Sequence, residues 1–268
     1  MRINTNLNAM IATNQMSKNT ALAGSSMEKL STGLRITKAG DDAAGLAVSE
    51  KMRAQIRGME QAERNVQDGI SMVQTAEGAL EEAGNIAQRM RELGVQAGND
   101  TLSAEDRTKV KEELKQLQDE MNKISEETKF NGKQLLNTAG TFTIQAGANS
   151  ETRKIETADL SSIANGLSTI SVSSSTDAQG FVTKVDNALK LINNARSNLG
   201  AMQNRLEYTA NNLTTSTENL TAAESRIRDV DVAKEMVTLS KLNILNQASQ
   251  AMVSQAKQQP ESVSQLLR

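Results

Sequence analysis

The stretch NVQDGISMVQTAEGALEEAGNIAQRMRELGVQA, residues 65–97, decides the fold. Small and apolar residues recur in it at alternating spacings of three and four, and the series starts upstream at Met59. Its members are Met59, Ala62, Val66, Gly69, Val73, Ala76, Leu80, Ala83, Ala87, Met90, Gly94 and Ala97. This 3.5-residue period is typical of helices wound along one another. We therefore predict a helix from about residue 43 to residue 98, on the order of 80 Å long at about 1.5 Å per residue.

A second series with the same period predicts the partner helix. It consists of Ile192, Ala195, Leu199, Met202, Leu206, Thr209, Leu213, Ser216, Leu220, Ala223, Ile227 and Val230. We expect the two helices to pack through a seam formed by Val66, Val73, Leu80, Leu199, Leu206, Leu213, Leu220 and Ile227. A shorter apolar stripe from Val110 to Ile124, in a charged stretch, predicts a third helix packed on the outside.

The segment between the helices predicts a small β region. Residues 141–146, TFTIQA, alternate apolar and polar side chains, and residues 153–157 can pair back with them. Residues 161–180 are rich in Ser, Thr and Gly, and we interpret them as a solvent-facing surface loop. The predicted fold class is mainly α: an elongated rod made of a long antiparallel helical bundle or coiled coil, with a small β-hairpin region.

Glycines interrupt the first long helix. Each of Gly58, Gly69, Gly78, Gly84 and Gly94 costs a helix about 1 kcal/mol relative to Ala. Because Gly69 and Gly94 lie on the seam, we expect them to permit the close approach of a neighbour.

The stretch TKAGDD, residues 37–42, predicts a break between an N-terminal helix and the long one. We expect Gly40 to adopt an unusual backbone angle and Asp41 or Asp42 to cap the helix that follows. A catalytic or metal-binding role for the two Asp residues is the rarer alternative.

The two chain ends differ from the rest in composition. Residues 1–40 and 232–268 carry few charges, many amide and hydroxyl side chains, and scattered apolar residues. Neither has enough large apolar side chains to hold itself folded, so we infer helices that order only against a partner. The candidate contact residues for that partner are Ile3, Leu7, Met10, Leu239, Leu242, Leu245, Met252, Leu266 and Leu267. The predicted organisation is thus terminal helices at 1–40 and 232–268, a bundle with its hairpin at 41–160 and 181–231, and the loop at 161–180.

Composition excludes several classes of function. The 268 residues include no His and no Cys, so a Cys nucleophile, a Ser-His pair and the preferred ligands of structural zinc are all missing. A net charge of −2 gives no basic field for nucleic acid or an anionic membrane. With only four aromatic residues, the chain also lacks platforms on which the bases of a single strand could stack. The longest apolar run, residues 43–48, predicts neither a membrane span nor a signal peptide. We expect no enzymatic activity, cofactor or metal.

Several motifs together resemble bacterial flagellin. They are MRINTNLNAM at 1–10, LSTGLRITKAGDDAAGLAVSEKM at 30–52, NVQDGISMVQTAEGAL at 65–80, QRMRELGVQA at 88–97, KFNGKQLL at 129–136, TIQAGAN at 143–149, NRLEYTANNL at 204–213, AESRIRDVDVAKEM at 223–236 and SQLLR at the end. The similarity covers roughly the first 160 and the last 85 residues. Many flagellins insert outer β-rich domains where this chain has only the stretch 161–180, so the resemblance implies a short form without outer variable domains.

The resemblance also implies a function and partners. Flagellins are exported unfolded through the flagellar type III channel, without a cleaved signal, and polymerise beneath a cap into the extracellular filament used for swimming. In this family the terminal segments form the inner tube, so the resemblance implies that the candidate contact residues at the chain ends are self-assembly residues. A hook–filament junction protein and a C-terminal export chaperone are further partners. Arg89, Leu93 and Glu113 match positions contacted by the vertebrate innate receptor, Toll-like receptor 5.

Two alternatives to a filament subunit remain at this point. One is the hook–filament junction protein, which shares the terminal segments, and the other is a monomeric coiled-coil adaptor with dispensable termini.

Overall fold

The computed structural model describes residues 6–266, and their side chains through residue 258. The elements are α1 (Leu7–Thr32), α2 (Ala43–Ala97), α3 (Ala104–Glu127), β1 (Lys129–Phe130), β2 (Lys133–Gln134), β3 (Gly140–Gln145), β4 (Thr152–Thr157), α4 (Leu160–Gly166), α5 (Ser175–Arg228) and α6 (Val232–Leu266). The mainly α fold class with a small β region is confirmed. The predicted bounds of the first long helix agree with α2 to within a residue.

The chain divides into two compact units. The terminal unit combines the chain up to Ala54 with the chain from Asn219 onward, and the central unit is Gln55–Glu218. These divisions fall inside α2 and α5, whereas we expected boundaries at residues 40 and 232. The first turns of α2 and the last turns of α5 therefore belong with the terminal helices.

In the central unit, α2 and α5 pack side by side in opposite directions. Near one end the hydroxyl of Thr214 donates to Glu63 at 3.4 Å, and near the other the guanidinium of Arg91 donates to Asp186 at 2.7 Å. Six of the predicted seam residues are buried in one core: Val66, Val73, Leu80, Leu199, Leu206 and Leu213. The other two, Leu220 and Ile227, lie in the terminal unit and are half-buried.

The third helix, α3, starts with a capping box and buries the predicted stripe. The amide of Asp106 donates to the Ser103 hydroxyl at 3.2 Å, while the Asp106 carboxylate accepts from that hydroxyl at 2.7 Å. Val110, Leu114 and Met121 are buried in the core. The stripe thus directs one face of α3 inward, and most charged side chains of the helix face solvent, with Arg107 as a largely buried exception.

The predicted hairpin is confirmed as β3 and β4, which pair antiparallel from Gly140 with Thr157 to Gln145 with Thr152. A second, smaller hairpin of β1 and β2 was not predicted. Its two-residue turn is Asn131-Gly132, with φ of 49° and 76°, the left-handed angles that such turns require.

The loop predicted over residues 161–180 is wrong. Helix α4 occupies its first part and α5 begins at Ser175. Leu160, Ala164 and Leu167 follow a helical spacing and are buried, and the Asp159 carboxylate caps α4 by accepting from the amide of Ser162 at 2.7 Å. The Ser and Thr residues that suggested a loop occupy the exposed and capping positions between these apolar residues.

In the terminal unit the helix break also differs from the expectation. Gly33, with φ of 72°, ends α1, and Gly40 is not among the described glycines with positive φ. Asp42 caps α2 by accepting from the amide of Gly45 at 2.8 Å. Asp41 accepts from the amides of Thr37 and Lys38, each at 3.1 Å, and these hydrogen bonds hold its pKa below the ordinary value.

The glycines of α2 fall into two groups. A Cβ at Gly58 would lie 2.9 Å from the Cβ of Ala148, and one at Gly94 would lie 2.9 Å from a methyl carbon of Val182. A Cβ at Gly69 would overlap the end of the Ile144 side chain. At Gly78, in contrast, nothing lies within 4 Å.

We predict opposite effects of alanine at two of these glycines. Gly78→Ala should raise the free energy of unfolding by about 0.5–1 kcal/mol, because it adds helix propensity in open space. Gly58→Ala should give no gain or a loss, because the new methyl group meets the backbone of Ala148, 3.1 Å away at its Cα. Thermal unfolding of the monomer followed by circular dichroism measures both, and an equal gain at the two positions would contradict the packing described.

Candidate assembly surface

The pairing of α1 with α6 in the terminal unit uses small and polar side chains. The buried residues of α1 are Asn19 and Ser26, and those described in α6 are Leu242, Ser249 and Ala256. Both sets are seven residues apart along their helices, the spacing of a coiled-coil seam. The Asn6 side-chain amide donates to the carbonyl of Ala256 at 2.6 Å and ties the start of α1 to α6. The pair therefore forms a seam with little apolar bulk inside it.

Large apolar side chains of the same two helices face outward. They are 39% to 70% exposed and comprise Leu7, Met10, Ile11, Leu22, Met27, Val232, Met236, Val237, Ile244, Leu245 and Met252. In α1 the residues Leu7, Met10, Ile11 and Leu22 lie on one face by their spacing. We call these eleven residues the outer apolar surface. Exposed large apolar residues that share one helix face, as these four residues of α1 do, are expected at a protein interaction site.

The predicted self-assembly residues divide between the seam and this surface. Leu7, Met10, Leu245 and Met252 lie on the outer apolar surface. Leu242 is buried and Leu239 is half-buried, so both belong to the α1–α6 pairing. Ile3 and Leu267 lie outside the described residues, and Leu266 lies beyond the described side chains. The sequence missed Ile11 and Leu22, although their spacing from Leu7 was a usable signal.

The chain segment that follows α1 is hydrogen-bonded to the segment that precedes α6. The amide of Arg35 donates to the carbonyl of Arg228 at 2.6 Å, and the amide of Val230 donates to the carbonyl of Gly33 at 3.0 Å. The Arg35 guanidinium also donates to the carbonyl of Ile227, at 3.2 Å from Nε. We call this arrangement the clasp. It sets the two terminal helices side by side at their base.

Charged side chains extend the clasp onto α2. The Arg228 guanidinium donates to the carboxylate of Glu50 at 2.7 Å, and the buried hydroxyl of Ser49 donates to Glu224 at 3.0 Å. The hydrogen bond from Arg228 is the main reason that the pKa of Glu50 lies below its ordinary value. The ionised form of Glu50 is therefore the form that the clasp favours.

The three residues matched to receptor contacts do not share one surface. Arg89 on α2 donates to Glu113 on α3 at 3.0 Å and to Glu92 at 3.1 Å. Leu93, in contrast, is 2% exposed and packs in the central core. The expectation that a receptor contacts the Leu93 side chain therefore does not fit this structure, because that side chain is already buried in the core.

Residues 6–258 contain no group of three or more His, Cys, Asp or Glu side chains placed to hold a metal ion. None of the described helices carries an apolar stretch long enough to cross a membrane.

Comparisons with known proteins agree with these features. The bacterial flagellin N-terminal helical region matches residues 3–141, and the bacterial flagellin C-terminal helical region matches residues 182–267. The chain is 54% identical to the flagellin of Halalkalibacterium halodurans and 48% identical to that of Bacillus subtilis, in alignments that cover all of both chains. The crystal structure of Bacillus cereus flagellin is 35% identical, with a TM-score of 0.52 over 60% of this chain and 94% of that one.

Fold and surface together define a helical structural protein that assembles with copies of itself. The chain belongs to the bacterial flagellin family, as a short form without outer variable domains, and is a structural subunit of the flagellar filament. The full-length flagellin relatives decide against the junction protein and the coiled-coil adaptor.

We predict that Glu50→Gln weakens the clasp and its response to acid. A lowered pKa in the folded state stabilises at pH values above the unfolded pKa of about 4.5, and that stability is lost as pH falls through the folded pKa. In the wild-type monomer, amide-exchange protection of Arg35 and Val230 should therefore drop in that acid range. In the variant it should already be lower at pH 7 and change less.

Glu60→Gln is the matched control, since Glu60 lies exposed on the same helix and has no ion pair among the described residues. If Glu50→Gln and Glu60→Gln leave the same protection and the same acid response, the Arg228–Glu50 pair does not stabilise the clasp.

Proposed function

We propose that the outer apolar surface joins neighbouring copies in the filament, and that α1 and α6 form the inner part of the filament wall. One observation carries this proposal: the large apolar side chains of both helices point away from their own seam. Burying a Leu, Ile or Met side chain is worth about 1.5–3 kcal/mol when it is fully covered. Contacts with several neighbours thus supply the free energy that the α1–α6 seam lacks.

The central unit supplies the next layer of the wall in this proposal. Its core is complete within one chain, since the seam side chains of α2 and α5 and the inner face of α3 are buried together. A unit that is already folded offers a rigid body for lateral contacts, whereas the terminal helices gain most of their burial on assembly. Because each copy meets the next through different surfaces, the contacts extend into a helical tube without closing.

The proposed function also includes export of the subunit and contacts with three kinds of partner protein. The subunit lies outside the cell after export through the flagellar channel, and a cap protein and a hook–filament junction protein contact the two ends of its polymer. Helix α6 suits an export chaperone before assembly, because its exposed apolar residues, such as Val237 and Ile244, would otherwise face water.

We also propose recognition by the innate receptor, through Arg89 and Glu113. Both side chains are about half exposed, and their ion pair links α2 to α3 on the surface of the central unit. Leu93 is buried in the core of the same unit and is not part of the proposed contact.

Leu22→Asp should raise the critical concentration for seeded polymerisation by about tenfold or more, because assembly would bury a carboxylate. The matched control is Leu191→Asp, since Leu191 is 54% exposed on α5 and Leu22 is 56% exposed on α1. We expect a much smaller effect from the control. Sedimentation of filaments after seeding measures both, and normal polymerisation of Leu22→Asp would overturn the assigned surface.

Arg89→Ala should lower receptor signalling while leaving the fold intact. Arg91→Ala is the control, because Arg91 also forms an interhelical ion pair from α2, with Asp186 at 2.7 Å. Reporter-cell signalling with equal amounts of each monomer, checked by circular dichroism, gives the comparison. Unchanged signalling with Arg89→Ala, or an equal loss with Arg91→Ala, would contradict a specific role for Arg89.

A further inference from the structure

The methionines of the chain are sorted by exposure. The sequence has twelve, and Met1 lies outside the described residues. Among the other eleven, the four exposed ones are Met10, Met27, Met236 and Met252, at 51%, 61%, 59% and 65%. All four lie on α1 or α6, within the outer apolar surface. Every described methionine of the central unit is buried or half-buried, with Met90 and Met121 fully enclosed.

Exposure decides which thioethers a dissolved oxidant reaches. A peroxide must approach the sulfur atom directly, so the rate of oxidation follows solvent access. With Met90 and Met121 shielded in the core, peroxide acts first on the four exposed side chains of the terminal helices. The chain has no Cys to compete for the oxidant.

Oxidation changes the property on which assembly depends. A thioether is apolar and flexible, whereas a sulfoxide is polar and disrupts methionine-rich interfaces. Burying a polar group without a hydrogen-bond partner is unfavourable, so each sulfoxide opposes the contact that covers it. Because Met10 shares its face of α1 with Leu7 and Ile11, a sulfoxide there lies in the middle of apolar neighbours.

We propose that Met10, Met27, Met236 and Met252 are oxidation sites through which peroxide blocks polymerisation of the free subunit. This inference rests on the proposed role of the outer apolar surface in assembly. In the reaction the sulfur lone pair attacks one oxygen of hydrogen peroxide, the O–O bond breaks, an S–O bond forms and water leaves. Sulfur loses two electrons and the peroxide gains them. Methionine sulfoxide reductases reverse the change with two electrons and two protons from a dithiol, which becomes a disulfide, and the sulfoxide oxygen leaves as water.

The filament protects the same side chains from peroxide. Once neighbours cover the outer apolar surface, the four thioethers lose their contact with solvent, while Met90 and Met121 stay buried in both states. Peroxide therefore distinguishes free subunits from assembled ones.

The test compares wild-type subunit with a variant in which all four exposed methionines become leucine. Leucine keeps an apolar side chain of similar size and does not react with peroxide, and exchanges of this kind are well tolerated. The matched control replaces four half-buried methionines instead: Met16→Leu, Met52→Leu, Met59→Leu and Met202→Leu. Monomers are treated with hydrogen peroxide, quenched and seeded, and peptide mass spectrometry locates each added oxygen.

Treated wild-type subunit and the treated control should polymerise poorly, with a critical concentration raised by about tenfold for each sulfoxide that assembly buries. The variant with leucine at the four exposed positions should polymerise as well after treatment as before. Incubation of oxidised wild type with methionine sulfoxide reductases for both epimers and dithiothreitol should restore polymerisation. Normal assembly of wild type carrying sulfoxide at all four sites would overturn the proposal, as would equal inhibition of the exposed-site variant.

A second measurement needs no variant. Preformed filaments and monomers receive the same peroxide dose, and sulfoxide at the four sites should fall by on the order of tenfold in filaments. Equal oxidation in both states would overturn the proposal. Untreated Leu22→Asp separates failure of the assembly proposal from failure of the oxidation proposal. If this variant polymerises normally, the assigned assembly surface is wrong. If it fails to polymerise while oxidised wild type assembles, only the oxidation proposal is wrong.

Discussion

The terminal helices depend on one constraint: their own pairing cannot cover their large apolar side chains. Three of the five described buried positions of the α1–α6 seam are Asn19, Ser26 and Ser249, which contribute little hydrophobic free energy. Side chains such as Leu22 and Ile244, worth far more when buried, lie on other faces of the same helices. The stability of both helices is therefore set by what covers those faces, and a polymer of identical copies is one way to cover them.

The central unit also has a seam with the 3.5-residue period, but large apolar side chains fill that seam. Its seam carries Val66, Leu80 and Leu206, which are fully buried, so the helices complete their core within a single chain. Glycines of α2 then serve close contacts with the β3–β4 hairpin region, where Ala148 and Ile144 occupy the space that side chains would fill. The period fixes which face of a helix packs, whereas the size of the seam residues fixes whether packing alone suffices.

The sequence predicts an element well where its apolar pattern repeats many times and poorly where the pattern is short. Long helices were predictable because a dozen positions repeat the seam signal, so single exceptions do not hide it. Helix α4 offers only a few apolar positions within a Ser- and Thr-rich stretch, and the loop prediction failed there. Gly33 and Gly40 look alike in sequence, but the carbonyl of Gly33 accepts a hydrogen bond from the amide of Val230, a contact between distant parts of the chain that no local pattern shows. Likewise, no local pattern shows that Leu242 faces α1 while Leu245 faces solvent.

The clasp helps to hold α1 and α6 together although their seam contains few large apolar side chains. Two helices from opposite ends of a chain pair only after their separation has been closed, and that closure costs conformational entropy. Because Arg35 and Val230 take part in these hydrogen bonds, the C-terminal end of α1 and the start of α6 lie side by side, and the clasp and the seam offset that cost together. In the proposed assembly, neighbouring copies then need only to cover the outer faces of a pair that is already aligned. A seam of small and polar residues is sufficient for that proposal, and it leaves the large apolar side chains exposed in the single subunit.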